Sequence, residues 1–373
     1  MMESNGRNWI EVVDRIGPGF TQGAAERDAE DRFVAEHYPV LREHGLLSAL
    51  VPEDLGGGGA SHSDIAGILR RMAYYDSSTA LALSMHQHLV GFQVFNHMNG
   101  RPAPVLARVV ADQVVLVSTG ARDWLESNGE ARRVDGGYRV TARKAFASGS
   151  PAGAIVVTSA PFDDPADGPS VLHFAVPLAN EGITLADDWR VHGMRATGSQ
   201  TIVMEDVYIP EASVTLKRPR GVFAPIWNVI VGVALPLIAG VYVGVAERAT
   251  EIALGLAQKR RDDPATQLAV GQMLSALAIA QACHDEAVRL TDDLRFTPSL
   301  DITSRVLMLK TSVIEHSERA VVSAMEAAGG QGFYRATGLE RLLRDVRAGH
   351  YHPLPANQQY LLSGRHALGL DPV

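Results

Sequence analysis

The spacing of apolar residues changes twice along the chain, and this limits the folds that the chain can adopt. From about Val114, apolar and β-branched residues alternate in short runs bounded by Gly, Pro and Asp. The runs are VVLVS, YRVTARKA, AIVVTSA, VLHFAVP and TIVMEDVYI. No long helical pattern separates them, so the sequence predicts an antiparallel β domain rather than a dinucleotide-binding βαβ fold. On both sides of this region the apolar spacing is helical.

These patterns predict three domains in a chain of 373 residues. Residues 1–112 are predicted to form an α-helical domain, residues 113–218 a β domain, and residues 219–373 a helical bundle. The predicted fold class is α+β, because helices and strands occupy separate stretches of the chain. A chain of this length can bury a large core.

One segment is apolar enough to be tested against a bilayer. Ile226 to Ala246 is 21 residues without a charge, which is the length of a membrane-spanning helix. Asn228 and Pro236 lie inside it, and the pattern continues past Glu247 as a helix with a polar face. We therefore predict a buried bundle helix, since helices that are apolar all round also occur in large cores.

Charge and cysteine content exclude some classes of partner. The net charge of −8 and the pI of about 5.9 do not fit a nucleic-acid surface, which requires a basic face. Cys283 is the only cysteine, so the sequence allows neither an intrachain disulfide nor a cysteine-based metal cluster. The first residues are polar and include Glu3 and Arg7, which does not fit a signal peptide. We predict a cytoplasmic protein without a membrane or metal partner.

The stretch from Gly329 to Pro355 carries the strongest functional pattern, GGQGFYRATGLERLLRDVRAGHYHPLP. Its first glycines permit positive φ and close approach of the backbone to a ligand. A short charged helix over Leu339 to Arg347 follows, and the stretch ends in a His-Tyr-His-Pro corner. The alternative interpretation is a helix–turn–helix corner with a solvated charged face.

The stretch resembles the C-terminal part of the acyl-CoA dehydrogenase superfamily, in which a GGxG turn precedes a helix of the form ERLxRD. Two further segments are similar to that family: VPEDLGGGG near residue 51, and WRVHGMRATGSQTIVMEDVYIP from Trp189. The resemblance covers nearly the whole chain. It implies an N-terminal helical domain, a middle antiparallel β domain and a C-terminal four-helix bundle, assembled as a homo-tetramer or dimer in which part of each flavin site crosses an interface.

The resemblance also implies a flavin at the seam between the β domain and the bundle. The implied contacts are Ser118, Thr119 and Gly120 in LVSTGARD, Phe146 and Ser148 in KAFASGS, and Arg260, Gln272, Gly329 and Gly330 in the bundle. The family's Phe-Gly after Arg260 is lost, and Glu326 replaces a glutamine; a carboxylate near a pyrophosphate adds repulsion. The expected cofactor is therefore FAD, with FMN as the alternative.

Both positions at which the family's dehydrogenases carry their catalytic glutamate are filled by other residues. Counted from Arg344-Asp345, one position is Pro353; the second, on the first bundle helix, is Ala234. Neither side chain can accept a proton. Without a base, abstraction of a proton from a thioester loses roughly 10²–10⁴-fold in rate.

The replacement pattern resembles the superfamily's flavin-dependent monooxygenases of the dibenzothiophene and hydroxyphenylacetate type. The implied catalytic residues are His352, Ser148 and His86, while His88, two residues further on, is expected to face another way. Imidazoles near neutral pKa and a hydroxyl can hold or transfer protons during oxygenation. The resemblance implies a two-component enzyme that takes reduced flavin from a separate reductase and oxidises a small organic substrate. Two alternatives stay open: an acyl-CoA dehydrogenase with a displaced base, and a non-catalytic flavoprotein or scaffold on the same fold.

Overall fold

A computed structural model describes residues 7–119 and 124–372 of the chain. The first part is helical. Its helices are α1 Trp9–Thr21, α2 Ala24–Ala29, α3 His37–Glu43, α4 His62–Tyr75, α5 Ser77–Met98 and α6 Val105–Ala111. Ser61 and Asp64 form a capping box at the start of α4, and Asp76 caps α5 through the backbone N–H of Thr79. The second of these caps fixes where α5, the helix that lines the site, begins.

The middle part is an eight-stranded sheet. Its strands are β1 Leu116–Ser118, β2 Glu130–Val134, β3 Gly137–Lys144, β4 Ile155–Asp164, β5 Gly168–Pro177, β6 Ile183–Leu185, β7 Ile202–Pro210 and β8 Val214–Pro219. The strand order is β6-β7-β3-β2-β4-β5-β8, and β1 pairs with β4 beyond this path.

The sheet is not purely antiparallel as predicted, because β4 pairs in parallel with both β1 and β2. Every other strand pair is antiparallel. Parallel neighbours require a long connection between them, and the chain between β1 and β4 supplies one. The result brings Ser118, the last residue of β1, beside Val157 of β4, and both line the site.

The last part contains three long helices and two short ones: α7 Ile226–Ala257, α8 Pro264–Leu290, α9 Leu300–Ala328, α10 Leu339–Val346 and α11 Ala356–Ala367. Within the described residues, one helix, Ile226–Arg260, is long and apolar enough to cross a membrane, and 94% of its most apolar window is buried in the protein. It packs against α4, α5, α8 and α9. This is the buried bundle helix that the sequence predicts.

Two main apolar cores lie on either side of a seam. One is shared by the N-terminal helices and the bundle and includes Leu83, Val90 and Leu237. The other lies within the sheet and includes Val140, Phe174 and Met204. The candidate site occupies the seam between them.

Candidate active site

A cavity of about 500 Å³ opens where α5, the sheet, α7 and the segment 344–353 meet. Most of its wall is apolar or aromatic. The polar or titratable residues of the wall are His88, Ser118, Ser148, Thr158, Ser159, His173, His192, Ser199, Arg344, Arg347, Tyr351 and His352. In the part of the chain that the structure describes, no aspartate or glutamate lines this cavity.

Ala234 and Pro353, the residues at the two glutamate positions, both lie on the cavity wall. Ala234 lies on α7, and Pro353 follows the 3-10 turn Arg347–Tyr351. The two places from which a carboxylate would reach a ligand therefore carry an alkyl group and a proline ring.

His352 lies beside Pro353 and is held by a tyrosine of the bundle. Its Nε2 is 2.6 Å from the hydroxyl of Tyr242, which is fully buried on α7. Burial raises the pKa of Tyr242 well above its usual value, so the phenol keeps its proton. A buried hydroxyl hydrogen needs an acceptor, and His352 Nε2 is the partner within reach. We infer that Tyr242 donates to Nε2, which leaves the imidazole proton of His352 on Nδ1.

The surroundings of His352 keep its ring neutral. Burial, reinforced by Lys310 and His88, lowers the pKa of His352 to about 3. The ammonium of Lys310 donates to the carbonyls of His352 at 3.0 Å and Leu354 at 2.9 Å, which fixes the backbone on both sides of Pro353. Burial lowers the pKa of Lys310 to about 8. At neutral pH the wall therefore offers an uncharged imidazole next to a buried cation.

The histidine of α5 that lines the cavity is His88, whereas the sequence indicates His86. His86 is fully buried, and both ring nitrogens bond to the backbone: Nε2 to the Leu47 carbonyl at 2.8 Å, and Nδ1 to the Leu116 N–H at 3.0 Å. His88 lines the cavity, with Nε2 3.1 Å from the hydroxyl of Ser118. Two residues along a helix turn the side chain by about 200°, which separates the two rings.

Sequence reasoning missed His88, although the sequence contains a signal for it. Leu81, Met85, His88 and Leu89 follow the spacing of one helix face, and all four line the cavity. Burial is the main cause that lowers the pKa of His88 to about 4, so this ring is also neutral near pH 7.

Phe146 and Ser148, in the segment that follows β3, also line the cavity. Phe146 has a φ of 60°, and 42% of its surface is exposed. Its ring meets that of Trp189 edge to face, with centroids 5.9 Å apart. The hydroxyl of Ser148 is 2.7 Å from that of Ser199. An aromatic ring and a hydroxyl thus share the cavity with His88 and His352.

The remaining predicted cofactor residues fall into three groups. Ser118 lines the cavity, and Thr119 is buried behind it, where its hydroxyl donates to Thr158 at 2.6 Å. Gly120 lies outside the described residues. The bundle residues do not line the cavity; they are Arg260, Gln272, Gly329 and Gly330.

Arg260 and Gly329 nevertheless lie together, at the far end of the long helices. The Arg260 guanidinium donates to the Ala327 carbonyl at 2.6 Å. Gly329 has a φ of 59°, and a Cβ there would lie 2.8 Å from that guanidinium. Gln272 is exposed on α8. Gly330 directly follows Gly329, so the structure brings three of the four bundle residues together in one place, away from the cavity.

Arg344 and Asp345 hold together the elements around the cavity; we call these two residues and their bonding partners the frame. Asp345 is buried and accepts hydrogen bonds from the Ser77 hydroxyl and the Met194 N–H, both at 2.6 Å. Burial raises the pKa of its carboxyl. Arg344 forms a bidentate ion pair with Asp28, at 2.6 and 2.9 Å. These bonds tie α10 to the N-terminal helices and to the loop that carries Met194.

Comparison with known proteins agrees with this architecture. The family description "Acyl-CoA dehydrogenase, N-terminal domain" matches residues 19–100, and "Acyl-CoA dehydrogenase, C-terminal domain" matches residues 227–355. The chain is 30% identical to YdbM of Bacillus subtilis, provisionally named an acyl-CoA dehydrogenase, over 93% of each chain. It is 31% identical to the amino sugar nitrososynthase DnmZ of Streptomyces peucetius, over 93% of this chain and 90% of that one.

Two more distant matches point to oxygen chemistry or to a flavin. The dibenzothiophene monooxygenase of Rhodococcus erythropolis is 25% identical over 98% of this chain and 94% of its own length. The structure of KijD3 in complex with FMN and a dTDP-linked amino sugar superposes with a TM-score of 0.86 at 27% identity, covering 98% of this chain and 95% of that one. From the fold, the matched domains and relatives that share about a third of its residues, this chain belongs to the acyl-CoA dehydrogenase superfamily of flavin-dependent oxidoreductases.

Proposed function

We propose that this chain is the oxygenase component of a two-component flavin monooxygenase that acts on a small organic substrate. The observation that carries the proposal is the composition of the cavity wall: the imidazoles of His88, His173 and His352, which burial keeps neutral, and several serine hydroxyls, with no carboxylate among the described lining residues. Oxygenation needs groups that place and return protons, whereas desaturation of a thioester needs a base at the α-carbon.

The cavity fits a flavin ring on one wall. Phe146 can cover a ring face, and the hydroxyls of Ser118 and Ser148 can bond its polar edge, while the remaining wall is mostly apolar. When bound in its reduced form, the flavin would supply the electrons that activate O₂, so that one oxygen atom enters the substrate and the other leaves as water. FAD and FMN both suit this role, and KijD3, a structural relative, binds FMN.

The protein's own residues would hold protons and exclude water. With Tyr242 donating to Nε2, His352 keeps its proton at Nδ1, where it can donate to an oxygen atom in the cavity. His88 can accept or donate through its ring beside Ser118. Both rings are neutral near pH 7, which suits groups that must take up a proton and give it back. The surrounding Trp, Phe and Met side chains would keep bulk water away.

The place of Arg260 and Gly329 supports an assembly of several copies. If these residues contact the flavin's phosphate groups, as the resemblance implies, their distance from the Ser148 wall is easiest to satisfy from a neighbouring copy. We therefore propose a homo-oligomer, a tetramer or a dimer, in which each flavin site takes residues from two chains. A separate reductase would supply the reduced flavin.

The substrate is proposed to be flat and mostly apolar. Trp124, Trp189 and Trp227 line the cavity, and Trp124 stacks on Trp227 with ring centroids 4.9 Å apart. The lining arginines are already paired, Arg344 with Asp28 and Arg347 with Glu318, which does not favour an anionic substrate group at that end. Similarity to nitrososynthases supports oxygen transfer to the nitrogen of an amino sugar as the second candidate.

The test is an oxygenation screen under ¹⁸O₂. The protein, FMN or FAD, a flavin reductase and NADH are incubated with aromatic sulfides, indoles, phenols and nucleotide-linked amino sugars. We expect one class to gain a single ¹⁸O atom, detected by mass spectrometry, and heat-inactivated protein serves as the control. Incorporation into an amino sugar alone would select the second candidate. A protein that binds neither flavin would contradict both candidates and support the non-catalytic alternative.

A further inference from the structure

A chain of three hydroxyl groups links the cavity to a backbone carbonyl. Ser148 lies 2.7 Å from Ser199, Ser199 lies 2.6 Å from Thr197, and Thr197 donates to the carbonyl of Met194 at 2.9 Å. Thr197 is fully buried, and Ser148, the cavity end of the chain, is 8% exposed. No other hydrogen bond of these three hydroxyls competes with the chain within the described residues.

Counting protons fixes the direction of every bond in the chain. A hydroxyl has one hydrogen to donate, and a carbonyl oxygen can only accept. Thr197 uses its hydrogen on Met194, so Ser199 must donate to Thr197. Ser199 has then used its own hydrogen, so Ser148 must donate to Ser199. Ser148 is left with lone pairs alone on the side that faces the cavity.

The carbonyl that sets this direction is held firmly. The Met194 N–H is bound by the buried carboxylate of Asp345, and its carbonyl also accepts from the indole N–H of Trp189 at 3.3 Å. At Gly198, between Thr197 and Ser199, φ is 57°, and a Cβ would come within 2.5 Å of the Phe33 ring. The loop that carries the Met194 carbonyl and the Thr197 and Ser199 hydroxyls therefore has little room to rearrange.

We propose that this series of three hydroxyl groups makes Ser148 a fixed hydrogen-bond acceptor. Ser148 thereby favours binding of the reduced form of the flavin over the oxidised form. The inference rests on the proposed function. Reduction adds N–H donors to the flavin ring at nitrogens that are bare acceptors in the oxidised ring. In the reduced flavin, the Ser148 hydroxyl oxygen can accept a hydrogen bond from such an N–H. In the oxidised flavin, the same oxygen faces a nitrogen without hydrogen, so two acceptors meet and no hydrogen bond forms between them. Thr197 and Ser199 act here as positioning residues, through the orientation of Ser148.

The consequence suits an oxygenase that is supplied by another protein. Such an enzyme must capture reduced flavin and release the oxidised ring after turnover. A single hydrogen bond gained in one state and lost in the other corresponds to about a tenfold ratio of dissociation constants.

The experiment measures the affinity of FMN in both redox states, without substrate. Anaerobic titrations with oxidised and with dithionite-reduced FMN give two dissociation constants for the full-length protein and for each variant. We expect the wild type to bind reduced FMN more tightly. Thr197→Val keeps the shape of the side chain but frees the hydrogen of Ser199, so the chain can reverse. The preference for reduced FMN should then fall about tenfold.

Further variants separate this effect from a general disturbance of the loop. Thr197→Ser keeps the hydroxyl and should keep the preference, and Ser199→Ala should lose it as Thr197→Val does. Ser150→Ala is the matched control, because the Ser150 hydroxyl donates to the neighbouring Gly198 carbonyl at 3.1 Å but lies outside the chain. Its preference should stay within twofold of the wild type, about the precision of such a titration.

Two results would overturn the inference in different ways. If the wild type prefers reduced FMN and both Thr197→Val and Ser199→Ala keep that preference, the hydroxyl chain does not set it, and the proposed function stands. If the wild type binds neither form, the proposed function fails together with the inference.

Discussion

The cavity and the frame around Arg344-Asp345 border each other but handle charge in opposite ways. In the frame, ionised groups are satisfied: Asp345 by two donors, and Arg344 by the carboxylates of Asp28 and Glu340. Among the residues that the structure describes, no carboxylate lines the cavity, and burial keeps His88 and His352 neutral. Residues of one stretch thus have two roles. Arg344 and Asp345 stabilise the fold through charged groups, and His352 presents a neutral ring to the cavity.

The largest expected effect comes from removing the proton held on the cavity wall. His352→Ala should lower the rate of oxygenation of any accepted substrate by roughly 10²–10⁴-fold, the usual contribution of a positioned acid or base. The measurement is a single-turnover rate with reduced flavin and O₂. His352→Gln is the companion variant, since its amide oxygen can still accept from Tyr242 and preserve the fold.

If His352→Ala folds normally, binds flavin and oxygenates at the wild-type rate, the histidine wall is not the reacting side of the cavity. His352 would then not be the group that handles the proton during oxygenation.

A change in the frame should instead affect stability. Asp345→Ala leaves the Ser77 hydroxyl and the Met194 N–H without their acceptor, which should lower the free energy of unfolding by about 3 kcal/mol. Urea denaturation measures this. Asp301→Ala, at an ion pair in which the aspartate side chain is 86% exposed, is the control and should change stability by less than about 0.5 kcal/mol. If both variants lose the same free energy of unfolding, the bonds of Asp345 stabilise the fold no more than an exposed surface pair does.

The two histidines of α5 allow the same contrast within one helix. His86→Ala should cost about 2 kcal/mol of stability, because the Leu47 carbonyl and the Leu116 N–H lose their partner in the core. Per folded molecule, its oxygenation rate should change little. His88→Ala should show the reverse, a lower rate with a small change in stability. Thermal unfolding and single-turnover kinetics of both variants test the assignment, and a loss of rate only in His86→Ala would restore the residue indicated by the sequence.

The smallest expected effect concerns the pH dependence of stability. The pKa of His352 is about 3 in the folded chain, below its ordinary value of 6.5, so the unfolded chain binds a proton that the folded chain does not. The stabilising contribution of the neutral ring is complete above pH 6.5 and is lost as the pH falls toward 3. His352→Gln removes this titration. Between pH 6 and 4.5, the free energy of unfolding of His352→Gln should therefore fall less steeply than that of the wild type. The two slopes should differ by about 1 kcal/mol per pH unit. Parallel curves for the two proteins would show that His352 titrates normally.

Much of the fold could be predicted from the sequence, and the reasons for the failures are physical. The strands found in advance bury alternate apolar residues. Three strands were not predicted. β2 and β6 are mostly exposed. β8 does alternate in burial, but it has only two apolar residues at alternating positions, Val214 and Leu216, which is too short a pattern to indicate a strand. The uncharged run that became α7 was predicted correctly as a buried helix, since a soluble core is the environment that tolerates it.

The site was harder to predict because it depends on contacts between distant residues. Pro353 and Ala234 were identified by their place in motifs, and both line the cavity. Tyr242 and Lys310, which hold His352, lie 110 and 42 residues away from it in sequence and belong to no motif. The sequence of α5 places His88 on one helix face with Leu81, Met85 and Leu89, but which face meets the cavity depends on the rotation of α5 in the fold.

The most direct test of the carboxylate-free cavity is an anaerobic titration of flavin-loaded protein with acyl-CoA thioesters of increasing chain length. The visible absorbance of oxidised flavin is followed after each addition. We expect no bleaching at any chain length, because neither Ala234 nor Pro353 can remove the α-proton and no described carboxylate of the wall replaces them. Bleaching by any thioester would show that a base reaches the substrate, and would contradict the account in favour of a dehydrogenase with a displaced base.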